Sequence, residues 1–173
     1  GDLIWQYETD DGVYSSPTVA GGVVYVGSWD HYVYALNAGT GDLLWRYGTG
    51  YGVWSSPIVA DGVVYVGSDD HYVYALDAGT GDLLWSYETG HWVESSPTVE
   101  GGVVYVGSDD HYVYALDAET GDLLWSYETG DDVRSSPIVA NGVVYVGSWD
   151  YYVYALDAET GNLLWRYETG AGV

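Results

Sequence analysis

The chain has 173 residues, 47% of them hydrophobic, with 25 Gly, 20 Tyr and 9 Trp, which suits one folded domain and excludes a disordered chain. Three basic residues against 26 acidic residues give a net charge of −23, which excludes nucleic acid as a partner and indicates adaptation to high salt. The absence of cysteine excludes disulfides and thiol chemistry, and no apolar run approaches the roughly 20 residues of a membrane span.

The sequence repeats itself with a period of about 40 residues. The unit 41–80 recurs as 81–120 and 121–160, with 1–40 ahead of it and a partial copy, 161–173, behind it. No linker or shift of composition separates these units, so we expect residues 1–173 to form a single repeat array. The close similarity of the units indicates recent amplification of one unit, or deliberate construction.

Each unit is predicted to contain four short strands, because runs of β-branched and aromatic residues alternate with turn residues. In the second unit these strands are Ser55–Ala60, Val63–Gly67, Tyr72–Leu76 and Leu83–Tyr87. The dipeptide Asp61-Gly62 is typical of a type I′ hairpin turn between the first two. Four-stranded units of this length indicate an all-β fold, a β-propeller with antiparallel blades and four blades in the chain.

An 11-residue pattern recurs in register around the last turn of each unit. In the second unit it reads Ala75-x-Asp77-x-x-Thr80-Gly81-x-x-x-Trp85, and it returns at 115–125, 155–165 and 35–45, the last with Asn37 in place of Asp. This pattern resembles the tryptophan-docking motif of the PQQ-like (quinoprotein-type) β-propeller repeats, and we favour their non-enzymatic, BamB-like branch. The resemblance implies the fold and favours an extracytoplasmic location. It does not imply an activity, because quinone-dependent dehydrogenases share the repeat.

The motif also has a physical interpretation. An indole in the fourth strand is large enough to fill the wedge between adjacent sheets, where it buries on the order of 200 Å². Ala75 and Gly81 are small where a neighbouring ring must lie close, and Asp77 is placed to accept hydrogen bonds from its own turn. The tryptophans predicted to dock between blades are Trp5, Trp45, Trp85, Trp125 and Trp165.

Differences between the units concentrate on one face of the predicted propeller. The connections between blades and the turns between second and third strands share this face, and both vary more than the opposite face does. Selective variation of one face is typical of binding loops, so this loop face is the candidate site for a carbohydrate, an aromatic or cationic ligand, or another protein. Its predicted residues are Tyr14, Trp29, Tyr51, Trp54, His91, Trp92, Glu94, Arg134, Trp149 and Tyr151. The alternative is that these aromatic rings pack over turns within their own blades.

Metal chemistry has little support in the sequence. Three histidines occupy equivalent turns, but equivalent positions on a ring lie more than about 10 Å apart, too far for one zinc ion. They are His31, His71 and His111. Paired acids offer the oxygen ligands that calcium prefers, although solvated turn residues are the simpler interpretation. These pairs are Asp69-Asp70, Asp109-Asp110 and Asp131-Asp132.

Catalytic and cofactor chemistry is equally weak. Ser55-Ser56 recurs in every unit, which suits residues lining a channel rather than a single catalytic serine. The adjacent-cysteine disulfide that the resemblance to quinoprotein dehydrogenases would bring is impossible in a chain without cysteine. We therefore expect no enzyme, no catalytic residue, no cofactor and no metal.

The strand count does not match a closed ring. The first three strand types occur four times, but the fourth occurs five times, because Leu3–Tyr7 precedes the array and Leu163–Tyr167 ends it. Half a ring would leave apolar faces bare at both ends. We expect two chains to form an eight-bladed ring in which terminal strands compete or exchange; a filament and a compact four-bladed monomer are the alternatives.

Two functions follow from these expectations. The favoured one is a non-enzymatic scaffold that self-associates and offers its loop face for binding. The other is a purely structural or engineered repeat protein that assembles into a ring or filament and binds no ligand.

Overall fold

The computed structural model describes residues 1–173, and β-strands are its only regular secondary structure. Sixteen strands form four separate four-stranded sheets, and within each sheet the strands are hydrogen-bonded in chain order. Every neighbouring pair is antiparallel, so each sheet is one blade, and the all-β propeller fold is confirmed. No helix is long and apolar enough to cross a membrane.

The strands of the four blades lie at equivalent positions of the repeat. Blade 1 contains β1 Thr18–Ala20, β2 Val23–Gly27, β3 Tyr32–Asn37 and β4 Leu43–Gly48. Blade 2 contains β5 Ile58–Ala60, β6 Val63–Gly67, β7 Tyr72–Asp77 and β8 Leu83–Glu88. Blade 3 contains β9 Thr98–Glu100, β10 Val103–Gly107, β11 Tyr112–Asp117 and β12 Leu123–Glu128. Blade 4 contains β13 Ile138–Ala140, β14 Val143–Gly147, β15 Tyr152–Asp157 and β16 Leu163–Glu168.

The first strand of each blade is shorter than the sequence predicts. In blade 2 it begins at Ile58 rather than Ser55, because Pro57 has no N–H to donate to the ladder. Ser55 instead accepts a hydrogen bond through its Oγ from the N–H of Gly67, at 3.0 Å. The hairpin that follows has φ of 49° at Asp61 and 80° at Gly62, as a type I′ turn requires.

The hydrophobic core lies between blades. The indole of Trp45 in blade 1 packs on Gly81 of blade 2, and its Nε1 donates a hydrogen bond to the carbonyl of Ala78 at 3.0 Å. Trp85 and Trp125 repeat this contact one and two blades further on, also at 3.0 Å. A Cβ at Gly81 would lie 2.7 Å from the ring, and its φ of 78° independently favours glycine. This explains why the glycine recurs with the tryptophan.

The row of four blades is uncovered at its blade 4 end. Trp165 of blade 4 is 49% exposed, whereas Trp45, Trp85 and Trp125 are 8–9% exposed, and β16 is exposed along its whole length. The equivalent place on blade 1, at Gly41, is occupied by Trp5 of the same chain. The blades therefore form an arc with one uncovered side.

The predicted strand Leu3–Tyr7 is wrong, since these residues form no strand. A fourth strand needs the third strand of its own blade as a partner, and none of the strands in residues 1–173 offers one to this segment. Trp5 nevertheless docks: its Nε1 donates a hydrogen bond to the carbonyl of Ala38 at 2.9 Å.

Candidate functional site: the loop face

The loop face is built where each blade connection crosses the turn after the next second strand. Ser68 organises the crossing between blades 1 and 2: it is fully buried, and its Oγ donates to the carbonyl of Gly52 at 3.2 Å. The N–H of Asp69 also donates to the carbonyl of Gly52, at 3.0 Å, whereas the N–H of Val53 donates to the carbonyl of Ser28 in blade 1, at 3.1 Å. These bonds tie the connection to the turns of both blades, and Trp54, the residue after Val53, lies against Trp29 in the turn of blade 1.

The recurring histidines have a conformational role in these turns. His71 adopts a φ of 77°, in the left-handed region where histidine is commoner than most residues with a Cβ. His31, His111 and Tyr151 do the same, with φ between 73° and 76°. The backbone geometry therefore accounts for residues that the sequence offered as metal ligands.

The second acid of each turn is an internal hydrogen-bond acceptor. Asp70 accepts from the hydroxyl of Tyr74 at 2.8 Å and from the N–H groups of Tyr72 and Gly50. Asp30, Asp110 and Asp150 accept equivalent bonds in their blades. Because these carboxylates are already engaged, the expectation of loosely solvated acids does not describe them.

Three of the predicted aromatic residues form one cluster at the blade 1 end of the face. Tyr14 stacks on Trp54 with ring centroids 4.3 Å apart, and Trp29 meets both rings edge-on, at 6.0 Å and 5.8 Å. All three side chains remain between 36% and 57% exposed. The rings therefore pack on one another across blades and still present a large apolar surface to solvent.

Histidines and aromatic rings form two further stacks on the middle of the face. His31 stacks on Tyr51 at 5.2 Å, and His71 stacks on His91 at 5.4 Å. Trp92 packs at an angle on His91, at 5.0 Å.

Arg134 is the centre of a charged cluster near blade 4. Its Nη1 lies 3.1 Å from Glu94 Oε2, and its Nη2 lies 2.8 Å from Asp109 Oδ2 and 3.1 Å from Asp132 Oδ2. Its guanidinium lies 4.6 Å above the ring of Trp149. Three carboxylates and an aromatic face thus surround one cation, which shows how this surface holds a positive group.

Two buried carboxyl groups lie beneath the face. Burial, assisted by the charge of Glu94, raises the pKa of Asp69 to about 6, and Asp69 Oδ1 has no hydrogen-bond partner. Burial raises the pKa of Asp109 to about 7, although the guanidinium of Arg134 opposes that increase. The sequence did carry a signal for these positions: equivalent residues in blades 1 and 4 are Trp29 and Trp149, so the site is not a uniform solvated turn.

One group of side chains has the spacing of metal ligands. His111 Nε2 lies 3.5 Å from Asp132 Oδ1 and 4.0 Å from Asp131 Oδ1, and the donor atoms of these three residues lie within 4.8 Å of one another. His111 and Asp131 are exposed, and exposed acidic groups commonly lie this close together without a metal. The predicted residue Tyr151 stands apart from all these clusters, half-exposed at its own turn.

Comparison with protein families agrees with this propeller architecture. The family model described as outer membrane protein assembly factor BamB matches residues 1–94 and 91–173, which together cover the chain. No curated protein sequence gave a significant match.

Solved structures share the fold. BamB from Moraxella catarrhalis superposes with a TM-score of 0.85 at 22% identity, over 96% of this chain and 56% of that one. Quinohemoprotein alcohol dehydrogenase ADHIIG from Pseudomonas putida HK5 gives 0.83 at 25% identity, over 97% and 36%. The computationally designed Ika8 protein gives 0.82 at 22% identity, over 91% and 50%. The chain therefore spans only about one third to just over half the length of these proteins.

Proposed function

Because the chain belongs to the family of outer membrane protein assembly factor BamB, we propose that it is a non-enzymatic β-propeller scaffold. It associates with a second copy of itself to complete an eight-bladed ring, and it presents its loop face to a protein partner. Residues 1–173 act in this proposal as one repeat array. The recurring polar residues support a non-enzymatic role, because Ser55 and Asp70 are engaged in hydrogen bonds within the fold.

The uncovered side of blade 4 is the observation that carries the proposal. Trp165 belongs to a motif whose other indoles are buried against the next blade, yet it is half-exposed. Leaving an aromatic face of this kind in water is unfavourable, and a second copy supplies the missing neighbour. Two four-bladed arcs related by a two-fold axis along the channel produce two identical seams, so the ring closes without a free end.

Mass measurement tests the ring. In 2 M NaCl, sedimentation over a range of concentrations should reveal a species of twice the 18.8 kDa chain mass. Trp165→Ala should reduce that species, whereas Trp54→Ala on the loop face should leave it intact. A parent chain that stays monomeric at every concentration excludes the ring, and a continuous series of larger species would identify a filament instead.

The loop face favours a protein with basic side chains as its partner. The face combines exposed indoles with carboxylates, and Arg134 already illustrates a guanidinium held between acids and a tryptophan. Binding of the immobilised chain to a panel of basic proteins and glycans is the test. Trp54→Ala and Trp92→Ala should each weaken binding, while Glu119→Gly on the opposite face serves as the control.

A purely structural assembly is the second candidate function. It is favoured by the packing of Tyr14, Trp29 and Trp54 on one another, which satisfies those rings without a ligand. The near-identical repeats also suit an assembly unit. If the parent chain forms the ring but binds nothing in the panel, this function replaces the binding scaffold.

A further inference from the structure

We propose that residues 1–9 occupy the docking site that blade 4 of a second copy uses, so that the chain carries its own competitor for ring closure. The proposal rests on the self-association proposed above and adds a regulatory element to it. The partner is a second copy of this chain, and its β16 displaces residues 1–9 from blade 1.

Residues 1–9 make contacts with blade 1 that the fourth strand of a neighbouring blade makes elsewhere in the arc. The indole of Trp5 lies as close to Gly41 as Trp45 lies to Gly81, and each would meet a Cβ at 2.7 Å. Tyr7 meets Tyr34 at 5.6 Å and an interplanar angle of 57°, and Tyr47 meets Tyr74 at 5.5 Å and the same angle. The segment therefore fills the site that a neighbouring blade fills elsewhere in the arc.

Residues 1–9 reproduce only part of the contact between two complete blades. Leu3 and Ile4 are 75% and 86% exposed, and the segment is paired with no strand. Between complete blades, the carbonyl of Ala118 accepts hydrogen bonds from both Trp85 Nε1 and the hydroxyl of Tyr65, each at 3.0 Å.

On blade 1 the equivalent carbonyl, that of Ala38, accepts a bond from Trp5. Residues 1–9 contain no counterpart of Tyr65. They therefore cover the outer part of blade 1 and leave its inner part exposed to solvent. Val19 in the first strand of blade 1 remains 64% exposed.

Blade 4 presents the complete complement on its uncovered side. Tyr145 and Trp165 meet at 6.0 Å and 47°, close to the 5.8 Å and 46° of Tyr65 and Trp85. The surface that docks inside the arc is thus already formed on blade 4 before any partner arrives. A second copy would bring to Ala38 both an indole and a tyrosine hydroxyl, where residues 1–9 bring an indole alone.

The structure also indicates which of the two equivalent segments, residues 1–9 or β16, is displaced when two chains meet. Strand β16 is paired with β15 from Tyr152 opposite Glu168 to Leu156 opposite Leu163, and the guanidinium of Arg166 lies 4.6 Å from the ring of Tyr152. The residue equivalent to Arg166 in the N-terminal segment is Gln6, which has no charge to place over that ring. Inserting residues 1–9 into blade 4 would break a formed ladder and lose the cation–π contact, whereas releasing them from blade 1 breaks no strand pairing.

The test compares Trp5→Ala with Trp165→Ala in the full chain, using sedimentation at 2 M NaCl. The apparent dissociation constant equals the intrinsic constant divided by the fraction of molecules with a vacant site. A closed ring has two seams and needs a vacant site on each chain, so this fraction enters twice. Trp5→Ala should therefore tighten dimer formation about a hundredfold if residues 1–9 fill each site roughly nine-tenths of the time. Trp165→Ala should weaken it, and a synthetic peptide of residues 1–9 added to the Trp5→Ala variant should reverse the gain.

Hydrogen exchange on the parent chain gives a second measurement that requires no substitution. On dimer formation, the indole N–H of Trp5, which donates to the carbonyl of Ala38 in the single chain, should lose protection, while amides of Leu163–Glu168 should keep theirs. Weakened or unchanged association of Trp5→Ala, or protection gained at residues 1–9, overturns this inference but leaves the ring standing. Absence of association in the parent and in Trp5→Ala alike overturns the ring itself.

Discussion

The buried carboxyl of Asp69 makes stability depend on pH. Its pKa is about 6 in the folded chain against 3.8 as the ordinary value, because burial disfavours the charged form and Glu94 adds repulsion. A raised folded pKa means that the group's contribution to stability is fully present below pH 3.8 and is lost as pH rises through 6. Asp69→Asn should therefore stabilise the protein by about 1–2 kcal/mol at pH 8, with little effect near pH 4.

Chemical denaturation at the two pH values measures this difference. The matched control is Asp61→Asn, which removes one charge at an exposed turn where blade 4 already carries Asn141. That control should leave the free energy of unfolding nearly unchanged at both pH values. An equal effect of the two substitutions would show that net charge, rather than burial of Asp69, controls the pH dependence.

Two tryptophans of the same motif should differ sharply in their contribution to stability. Trp85 is buried against blade 3, whereas Trp165 is half-exposed. Trp85→Ala should cost about 3–5 kcal/mol of unfolding free energy, because it leaves a cavity between blades. Trp165→Ala should cost less than about 1 kcal/mol in the dilute monomer. Equal losses would mean that the side of blade 4 is covered even in the monomer.

At the scale of the element, the repeat pattern predicted where strands lie better than it predicted which strands pair. Periodicity located Val63–Gly67 to the residue and indicated the turn at Asp61-Gly62, because both depend on local chemistry. The segment Leu3–Tyr7 closely resembles a fourth strand in sequence and still forms none, because no third strand lies beside it to pair with. A segment of this sequence therefore forms a strand only where a neighbouring strand is present to pair with it.

The hydrogen bond from a second-strand tyrosine to the next blade can be tested with two matched substitutions. The hydroxyl of Tyr105 donates to the carbonyl of Ala158 in the next blade at 3.1 Å, whereas Tyr145 has no following blade in the chain. In a Trp165→Ala background that keeps the chain monomeric, Tyr105→Phe should lower the unfolding free energy by about 1 kcal/mol. Tyr145→Phe should leave it unchanged, and a comparable loss from both would contradict an open arc.

The loop face was only partly predictable at this scale. Variation between units pointed to Tyr14, Trp29 and Trp54, and the structure places them in one cluster. The sequence could not reveal that Asp69 lies beneath the face and Asp70 holds a tyrosine, because adjacent residues in a turn point in different directions. Contacts across blades depend on the angle between sheets, which no single repeat encodes.

For the whole molecule, the charge of −23 sets the expected response to salt. Repulsion among 26 acidic side chains opposes the compact state, and raising the salt concentration from 0.1 to 1 M shortens the screening length from about 10 to about 3 Å. The melting temperature should therefore rise steeply with NaCl between 0.1 and 3 M. The control replaces Glu119 and Glu159 with glycine, the residue that blades 1 and 2 carry at Gly39 and Gly79. Removing these two charges should raise the melting temperature in dilute salt and reduce the slope. A melting temperature that does not change with salt would contradict adaptation to high salt, because screening would then have no repulsion to relieve.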